Sequence, residues 1–437
     1  MVRVLNWQAS LAEPHMREVI LGSLAGLVVK VLAAVSLFAM NVVVTRTVGP
    51  SQAGLFFLAF TLVTILATVG RSGLDQAIVR FVAKDRACSG GSALHNIYCK
   101  ATVWAFAFTT VLAALVYNSA GWINQSVFSL SGFEDVLKVA VVAAPFMALY
   151  IVQAQALQGL KQVSKSMFVA SVSLPVIILA CVLASGHSQA TDIAIYFIIA
   201  AAVSALIGGY LWFQSAPKIC QPQPFASSVL RRACMPLWTV AIVHQVIQWS
   251  SQLILGIGED AESVAFYATA QRTAMLTSFI LFAVNTIVAP KFAAMHATGD
   301  MEGIKRTALL SVRIMLLVSV PVTLFILLFP EWLMSMFGDA FTAAATALMI
   351  LTIGQFVNIA TGSVGYLLSM TGNETKVRDN VVISGILSVA LGIILIPHFG
   401  VIGAAIAYAC GVASQNLLGV YQVKKYLGFN TLCFWKA

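Results

Sequence analysis

Residues 20–44 read ILGSLAGLVVKVLAAVSLFAMNVVV, a run of 25 positions with a single charge, Lys30, near its middle. As a helix rising 1.5 Å per residue this run is about 37 Å long, enough to cross a bilayer hydrocarbon core of roughly 30 Å. It is also too long for the apolar core of a signal peptide and lacks a convincing small-residue cleavage site. It is therefore expected to remain in place as a membrane-spanning helix.

Working outward, the same pattern repeats along the whole chain. Apolar runs occupy residues 53–74, 101–117, 137–159, 167–185 and 193–213; a polar stretch at 214–235 follows, and then runs at 236–256, 264–288, 308–329, 343–368, 381–396 and 401–420. Over the 437 residues 60% are hydrophobic and 9% charged, against roughly 25% charged in a soluble domain. A water-facing surface cannot be built from that composition. The expected fold is an all-α integral membrane protein of about twelve transmembrane helices, and lipid is its solvent.

Lys and Arg resist translocation, so their distribution among the connecting segments orients the chain. Counting charges at the span ends (Arg71, Lys138) with the segments they adjoin, one set, which includes both termini, holds 20 Lys and Arg with 8 Asp and Glu; the opposite set holds 2 and 8. Arg71, Arg80, Lys84, Arg86, Arg231 and Arg232 belong to the basic side, and Glu134, Asp135, Glu259, Asp260, Glu262, Glu331 and Asp339 to the other. Both termini are thus expected in the cytoplasm. The net charge of +9 comes from these short segments rather than from a basic stripe on a soluble surface, so no nucleic-acid partner is expected. Of the seven cysteines, Cys181 and Cys410 fall in spans and Cys88, Cys99, Cys220, Cys234 and Cys433 on the basic side. None has the spacing of a metal site, and no disulfide framework is expected.

An ungapped offset of 211 residues lays the second span and its exit over the eighth, so that Ala77-Ile78-Val79-Arg80-Phe81-Val82-Ala83 falls on Val288-Ala289-Pro290-Lys291-Phe292-Ala293-Ala294. An even number of helices per half gives a parallel repeat with its axis along the membrane normal. The expected organisation is a first lobe at 1–213, a cytoplasmic linker at 214–235 and a second lobe at 236–437, the lobes enclosing a central cavity.

No Gly-x-x-x-x-Gly-Lys-Ser/Thr loop and no His-Glu-x-x-His pair occurs in the chain. Nucleotide-driven and zinc-hydrolase chemistry lose their usual signatures. The expectation is a transporter rather than an enzyme, with no cofactor and no metal.

Deep in the spans the ionisable carriers are basic, namely Lys30, Arg272 and Arg313, with no Asp or Glu. A charge at mid-bilayer costs about 2.5–3.5 kcal/mol on insertion scales, which makes such residues functional candidates. The cavity is therefore expected to be cationic. Lys30 shares a helical face with Ser23, Asn41 and Thr45, a polar stripe that points to cavity lining rather than snorkelling. Arg272 lies too deep to reach the surface comfortably, whereas Arg313 is placed to snorkel to the cytoplasmic side. Arg46, beside Gly49-Pro50, either lines the cavity mouth or meets lipid phosphate. In the seventh span His244, Gln248 and Ser251 share one face, flanked by Gln245 and Gln252, and are expected to face the cavity. Interhelical hydrogen bonding is the alternative for these residues, and equally for Gln153, Gln155, Gln158, Asn285, Gln355 and Asn358. Trp104, Trp122, Trp212, Trp238, Trp332 and Trp435 fall near span ends, as interfacial anchors do.

Thr45-Arg46-Thr47-Val48-Gly49-Pro50 with Gly54, Ala77 to Ala83, Val264-Ala265-Phe266-Tyr267 with Ala270-Gln271-Arg272, Ala289-Pro290-Lys291, Gly299-Asp300, and Gly362 to Tyr366 with Thr371-Gly372-Asn373 form an ordered set along the chain. That set resembles the polysaccharide transporters of the multidrug, oligosaccharidyl-lipid and polysaccharide exporter superfamily, which include O-antigen-type flippases. The resemblance implies translocation of a polyprenyl-pyrophosphate-linked oligosaccharide from the inner to the outer leaflet of a bacterial cytoplasmic membrane. It implies a place beside polysaccharide polymerase machinery, and it matches Lys30 and Arg272 to the basic cavity residues of lipid II flippases. The basic spans agree with an anionic head group, for which Lys30, Asn41, Arg46, His244, Gln248 and Arg272 are the candidate contacts. Rival readings are a multidrug cation antiporter, which should carry buried acids, a lipid II flippase, and a membrane-embedded glycan enzyme, which should carry catalytic carboxylates or a large outer loop. A major-facilitator carrier would need a Gly-x-x-x-Asp-Arg type loop, absent between Gly70 and Lys100.

Overall fold

The computed structural model describes residues 14–88, 92–186, 189–217 and 227–433. The side chains of Ser23, Cys88, Cys220, Arg231, Arg232 and Trp435 lie outside the described residues, as does 218–226 of the expected linker. The described elements are helical, with no strand among them. Among the described residues seven helices are individually long and apolar enough to cross a membrane, and an eighth crossing is a pair bent by 41°, Phe133–Val141 with Ala143–Gly159.

Two of the seven are double. Pro14–Arg71 breaks at Gly49 (φ 76°, ψ 171°) and Glu374–Leu427 breaks at Gly400 (φ 50°, ψ −125°). Positive φ is the conformation glycine alone adopts without strain, and Pro50 supplies the fixed φ that restarts a helix. The reversal between the first two spans therefore takes one non-helical residue, and Arg46 sits in the last turn of the first helix. With Ser227–Gly258 and residues 261–297, the latter tightened by a 3-10 turn at Leu276–Ser278, the crossings follow the expected order. We label them α1 (14–48), α2 (50–71), α3 (94–123), α4 (133–159), α5 (163–185), α6 (190–215), α7 (227–258), α8 (261–297), α9 (301–328), α10 (345–370), α11 (374–399) and α12 (401–427).

The offset of 211 extends through the molecule. Pro50, Val163 and Ala190, which open α2, α5 and α6, fall on Ala261, Glu374 and Val401, which open α8, α11 and α12. The two halves nevertheless fill their cores differently. Phe56, Phe60 and Phe197 pack ring against ring, with centroids 5.1–6.2 Å apart. Their equivalents are Tyr267, Gln271 and Tyr408, all buried. Around them Ser278 Oγ lies 2.5 Å from Gln355 Oε1, and Gln355 donates to the Tyr408 hydroxyl at 3.2 Å and accepts from Asn358 at 3.2 Å. Gln355 and Asn358 thus bond within the second lobe.

Between the crossings, Leu74–Cys88 is a short amphipathic helix that buries Leu74, Ala77, Ile78 and Val82 and exposes Arg80, Lys84 and Arg86. Two expected anchors are not anchors. Trp212 is 1% exposed and stacked on Tyr98 at 4.4 Å, and Trp238 donates to the Val69 carbonyl of the other lobe at 3.0 Å.

Candidate functional site

The lobes meet along α2. On its α7 side a stripe of residues seven apart crosses the boundary: Trp238 to the Val69 carbonyl, Gln245 Nε2 to Thr68 Oγ1 at 2.9 Å, and Gln252 Nε2 to the Phe57 carbonyl at 3.1 Å. Thr68 also accepts from Arg71 at 3.1 Å, and Arg71 pairs with Asp75 at 2.7 Å, so a chain of partners extends the boundary to the basic end. At the acidic end Gly54 lies so close to the Ala261 carbonyl that a Cβ at Gly54 would overlap it. Without a side chain there, α2 and α8 pack backbone against backbone.

Arg272 is held in the middle of this boundary. Its Nη1 donates to Asn41 Oδ1 of α1 at 2.6 Å, and its guanidinium lies 4.1 Å from the Phe57 ring centroid and 5.3 Å from that of Phe60. Asn41 is itself fixed, since its Nδ2 donates to the Leu37 carbonyl at 2.7 Å and its side chain is buried. Arg272 Nη2 is buried and has no hydrogen-bond partner among the described residues. Removing a guanidinium from water costs several kcal/mol. Cation–π contact returns about 0.5–2 kcal/mol and a charged hydrogen bond about 1.5–3 kcal/mol. The arrangement therefore leaves an uncompensated cation with a free donor, the requirement for binding an anion. The free volume beside it is about 10 Å³, walled by Leu37, Phe38, Thr273, Leu276 and Phe337.

Lys30 lies elsewhere on α1. It borders a separate cavity of about 280 Å³ between α1 and the middles of α8 and α9, with Val35, Phe279, Ile280, Ser319 and Val322 among the walls. Leu276 lines both spaces and stands between them. Neither lining contains an acidic residue. The two spaces are a small chamber at Arg272 and a larger, mostly apolar one at Lys30.

A comparison with known families decides where this arrangement belongs. Residues 16–296 match the family described as polysaccharide biosynthesis protein. The chain belongs to that family. Residues 236–398 also match the MatE family. Among relatives of this polysaccharide biosynthesis protein, the probable low-salt glycan biosynthesis flippase Agl15 of Haloferax volcanii is 28% identical over 183 residues, 41% of this chain and 38% of that one. The chain thus spans well under half the length of that relative. An uncharacterized membrane protein of Methanocaldococcus jannaschii is 22% identical over 91% of this chain and 82% of its own. In fold this chain is similar to a multidrug resistance MATE family transporter of the MOP superfamily in an inward-facing conformation, with TM-score 0.74, 16% identity and coverage of 95% of this chain and 99% of that one. Lipid II flippase MurJ in an inward closed conformation gives 0.73, 15%, and 93% and 87%. The chain is therefore a multi-pass membrane protein with the fold of the multidrug, oligosaccharidyl-lipid and polysaccharide exporters.

Of the candidates read from the sequence, Asn41 and Arg272 are in contact, and Lys30 lies beyond Leu276. Arg46 does not border the Arg272 chamber: its Nε donates to the Met336 carbonyl at 2.7 Å and its Nη2 to that of Ser335 at 3.4 Å, both in the second lobe. Gln248 faces its own lobe, with Nε2 3.7 Å from Met275 Sδ and its carbonyl accepting from Gln271 at 3.2 Å. His244 is exposed on α7 and lines neither cavity. Thr45 returns its hydroxyl to the Asn41 carbonyl at 2.9 Å. The boundary-crossing glutamines are Gln245 and Gln252, one helical face away from the stripe expected. Sequence reasoning missed Phe57, Phe60 and Phe337, which look like ordinary core; the spacing of seven in Trp238, Gln245 and Gln252 was the signal available for α7.

Proposed function

We propose that this polysaccharide biosynthesis protein is a flippase that carries a polyprenyl-pyrophosphate-linked oligosaccharide across the cytoplasmic membrane, from the basic side to the acidic side. The carrying observation is Arg272: a buried guanidinium at the lobe boundary whose partner is the neutral Asn41 amide and whose Nη2 is unmatched. A carboxylate partner would have neutralised it. An amide orients the fork and leaves its charge for a ligand, and planar guanidinium is well suited to phosphate oxygens. Lys30 in the neighbouring cavity is a second positive group for the same head group, and the apolar remainder of that cavity suits hydrocarbon.

In the proposed cycle the head group enters from the Lys30 cavity, passes Leu276 and engages Arg272 as the lobes rock about α2. The lipid tail stays in the bilayer. The absence of acidic residues from both linings favours this reading over export of organic cations. A second case of unusual pocket charge supports attention to this feature: a MOP superfamily transporter from Pyrococcus furiosus, TM-score 0.63 and 16% identical, has a binding pocket of reverse polarity described as suggesting a different function. A lipid II flippase is the second reading, because its head group also carries a pyrophosphate; the family match to polysaccharide biosynthesis proteins favours the glycan.

The test is deletion of the gene in its host. The expected outcome is accumulation of a lipid-linked glycan precursor with its sugar on the cytoplasmic face, reversed by the wild-type chain and not by Arg272→Ala at equal membrane abundance. Normal glycan export with new sensitivity to cationic dyes would instead place the chain with the multidrug exporters.

A further inference from the structure

The chamber beside Arg272 is, at about 10 Å³, no larger than one water needs, so any ligand for the unmatched Nη2 requires a wall to move. Its walls on α1 and α8 belong to long helices. Phe337 does not. It lies in the connection between α9 and α10, where the short helix Pro330–Ser335 is followed by Met336, Phe337, Gly338 and the 3-10 turn Asp339–Ala344. Phe337 is 1% exposed and meets Phe38 of α1 edge-on at 5.3 Å. On its other side it packs at 6.1 Å on Phe341, whose ring meets Phe266 of α8 at 5.3 Å. The connection therefore puts an aromatic stopper on the acidic-end side of the Arg272 chamber.

The same connection is tied to the first lobe by Arg46, through the Met336 and Ser335 carbonyls. Next to those carbonyls Gly338 has φ 132° and ψ 156°, a conformation in which a side chain is strained. We propose that residues 330–344 are a lid that closes the Arg272 chamber toward the acidic end of the molecule, with Phe337 as its stopper, Arg46 as its latch and Gly338 as its pivot. The latch acceptors are neutral carbonyls on a connection, whereas those of the α2–α7 boundary sit on long helices. Opening of the lid breaks hydrogen bonds to one side chain and leaves the helices in place. Arg46 is a gating residue in this scheme, which assigns it no place among the head-group contacts and stands on geometry whatever the transported molecule is.

The test needs no substrate. Thr273, on the chamber wall, is replaced by Cys in the full chain, and reaction with a membrane-impermeant maleimide added from the acidic end is measured in intact cells, with the labelling of the parent chain subtracted. The expected result is slow labelling that rises about tenfold or more on adding Arg46→Ala, the factor that loss of one charge-assisted hydrogen bond corresponds to. Phe337→Ala should raise it similarly with the latch intact, and Arg46→Gln serves if the Ala variant fails to accumulate. Equal labelling in all three backgrounds overturns the proposal. So does a rise of the same size from the basic end in inverted vesicles, because the lid would then not guard the acidic side. Glycan export is scored separately in the same strains, so failure of the flippase reading and failure of the lid are distinguishable.

Discussion

From Leu37 to Arg46, α1 is packed against the second lobe: Asn41 is 2% exposed and bonded to Arg272, Phe38 meets Phe337, and Arg46 ties down the α9–α10 connection. From Lys30 to Val35 the same helix borders a cavity of about 280 Å³, and Val31 and Val35 are 56% and 61% exposed. One helix thus carries two basic groups and an amide through regions that differ in packing more than in residue type. The difference locates the barrier. In this conformation the way to Arg272 from the acidic end is blocked by an aromatic stopper, and the way from the Lys30 side is blocked by Leu276 alone of the residues common to both linings.

The largest effect should come from the packed half. Arg272→Ala is expected to lower glycan translocation about 100-fold or more, since it removes more than one charged hydrogen bond to the head group. This is read as the transport rate in proteoliposomes at matched protein, and a rate within a few-fold of wild type would break the assignment. Asn41→Asp comes next. It keeps the geometry and adds a carboxylate 2.6 Å from Nη1, so the expected loss is about 10- to 100-fold, with Asn41→Ala milder. The reverse order, Asp tolerated and Ala inactive, would mean that Asn41 positions Arg272 and its neutrality is irrelevant.

On the open half, Lys30→Ala should cost about tenfold in rate, expressed mainly in the concentration of substrate needed, with Lys30→Arg close to wild type. Equal losses in Lys30→Ala and Arg272→Ala would indicate one site rather than two stations. The smallest change is expected from Phe57→Leu, a loss of about two- to fivefold if cation–π contact contributes about 0.5–1 kcal/mol at 4.1 Å. Leu276→Ala sharpens the comparison in the other direction. Joining the two spaces should speed labelling of Thr273→Cys from the basic end while leaving its labelling from the acidic end slow.

Much of the fold was legible because bilayer crossing imposes a length: runs near twenty residues show in hydropathy, and the offset that maps Ala77 onto Val288 also maps helix starts such as Val163 onto Glu374. Arg272 and Lys30 were legible for the complementary reason, being charges where lipid excludes them. Asn41, the amide that holds Arg272, was legible as well, on the polar stripe of α1; the aromatic partners of Arg272 were not. Phe57 and Phe60 are indistinguishable in sequence from Phe56, whose ring meets those of Phe57, Phe60 and Phe197, while the guanidinium lies over Phe57 and Phe60 and not over Phe56. The α7 face was misjudged because a helical stripe fixes relative angles, and His244, Gln248 and Ser251 form one stripe while Trp238, Gln245 and Gln252 form another. The sequence places Arg46 at the end of the first helix, where it lies, but its bonds to the Met336 and Ser335 carbonyls of the other lobe leave no mark in the sequence. Trp212 and Trp238 followed the composition of an interfacial belt, and tertiary packing overrode it.

The most direct test of the central claim compares two lipids in proteoliposomes containing the purified full chain: a polyprenyl-pyrophosphate-linked sugar and the same sugar on the same polyprenyl chain without the pyrophosphate. The account predicts translocation of the first, little of the second, and loss of the difference in Arg272→Ala. Equal translocation of both lipids by the wild-type chain, or unchanged discrimination in Arg272→Ala, would contradict it.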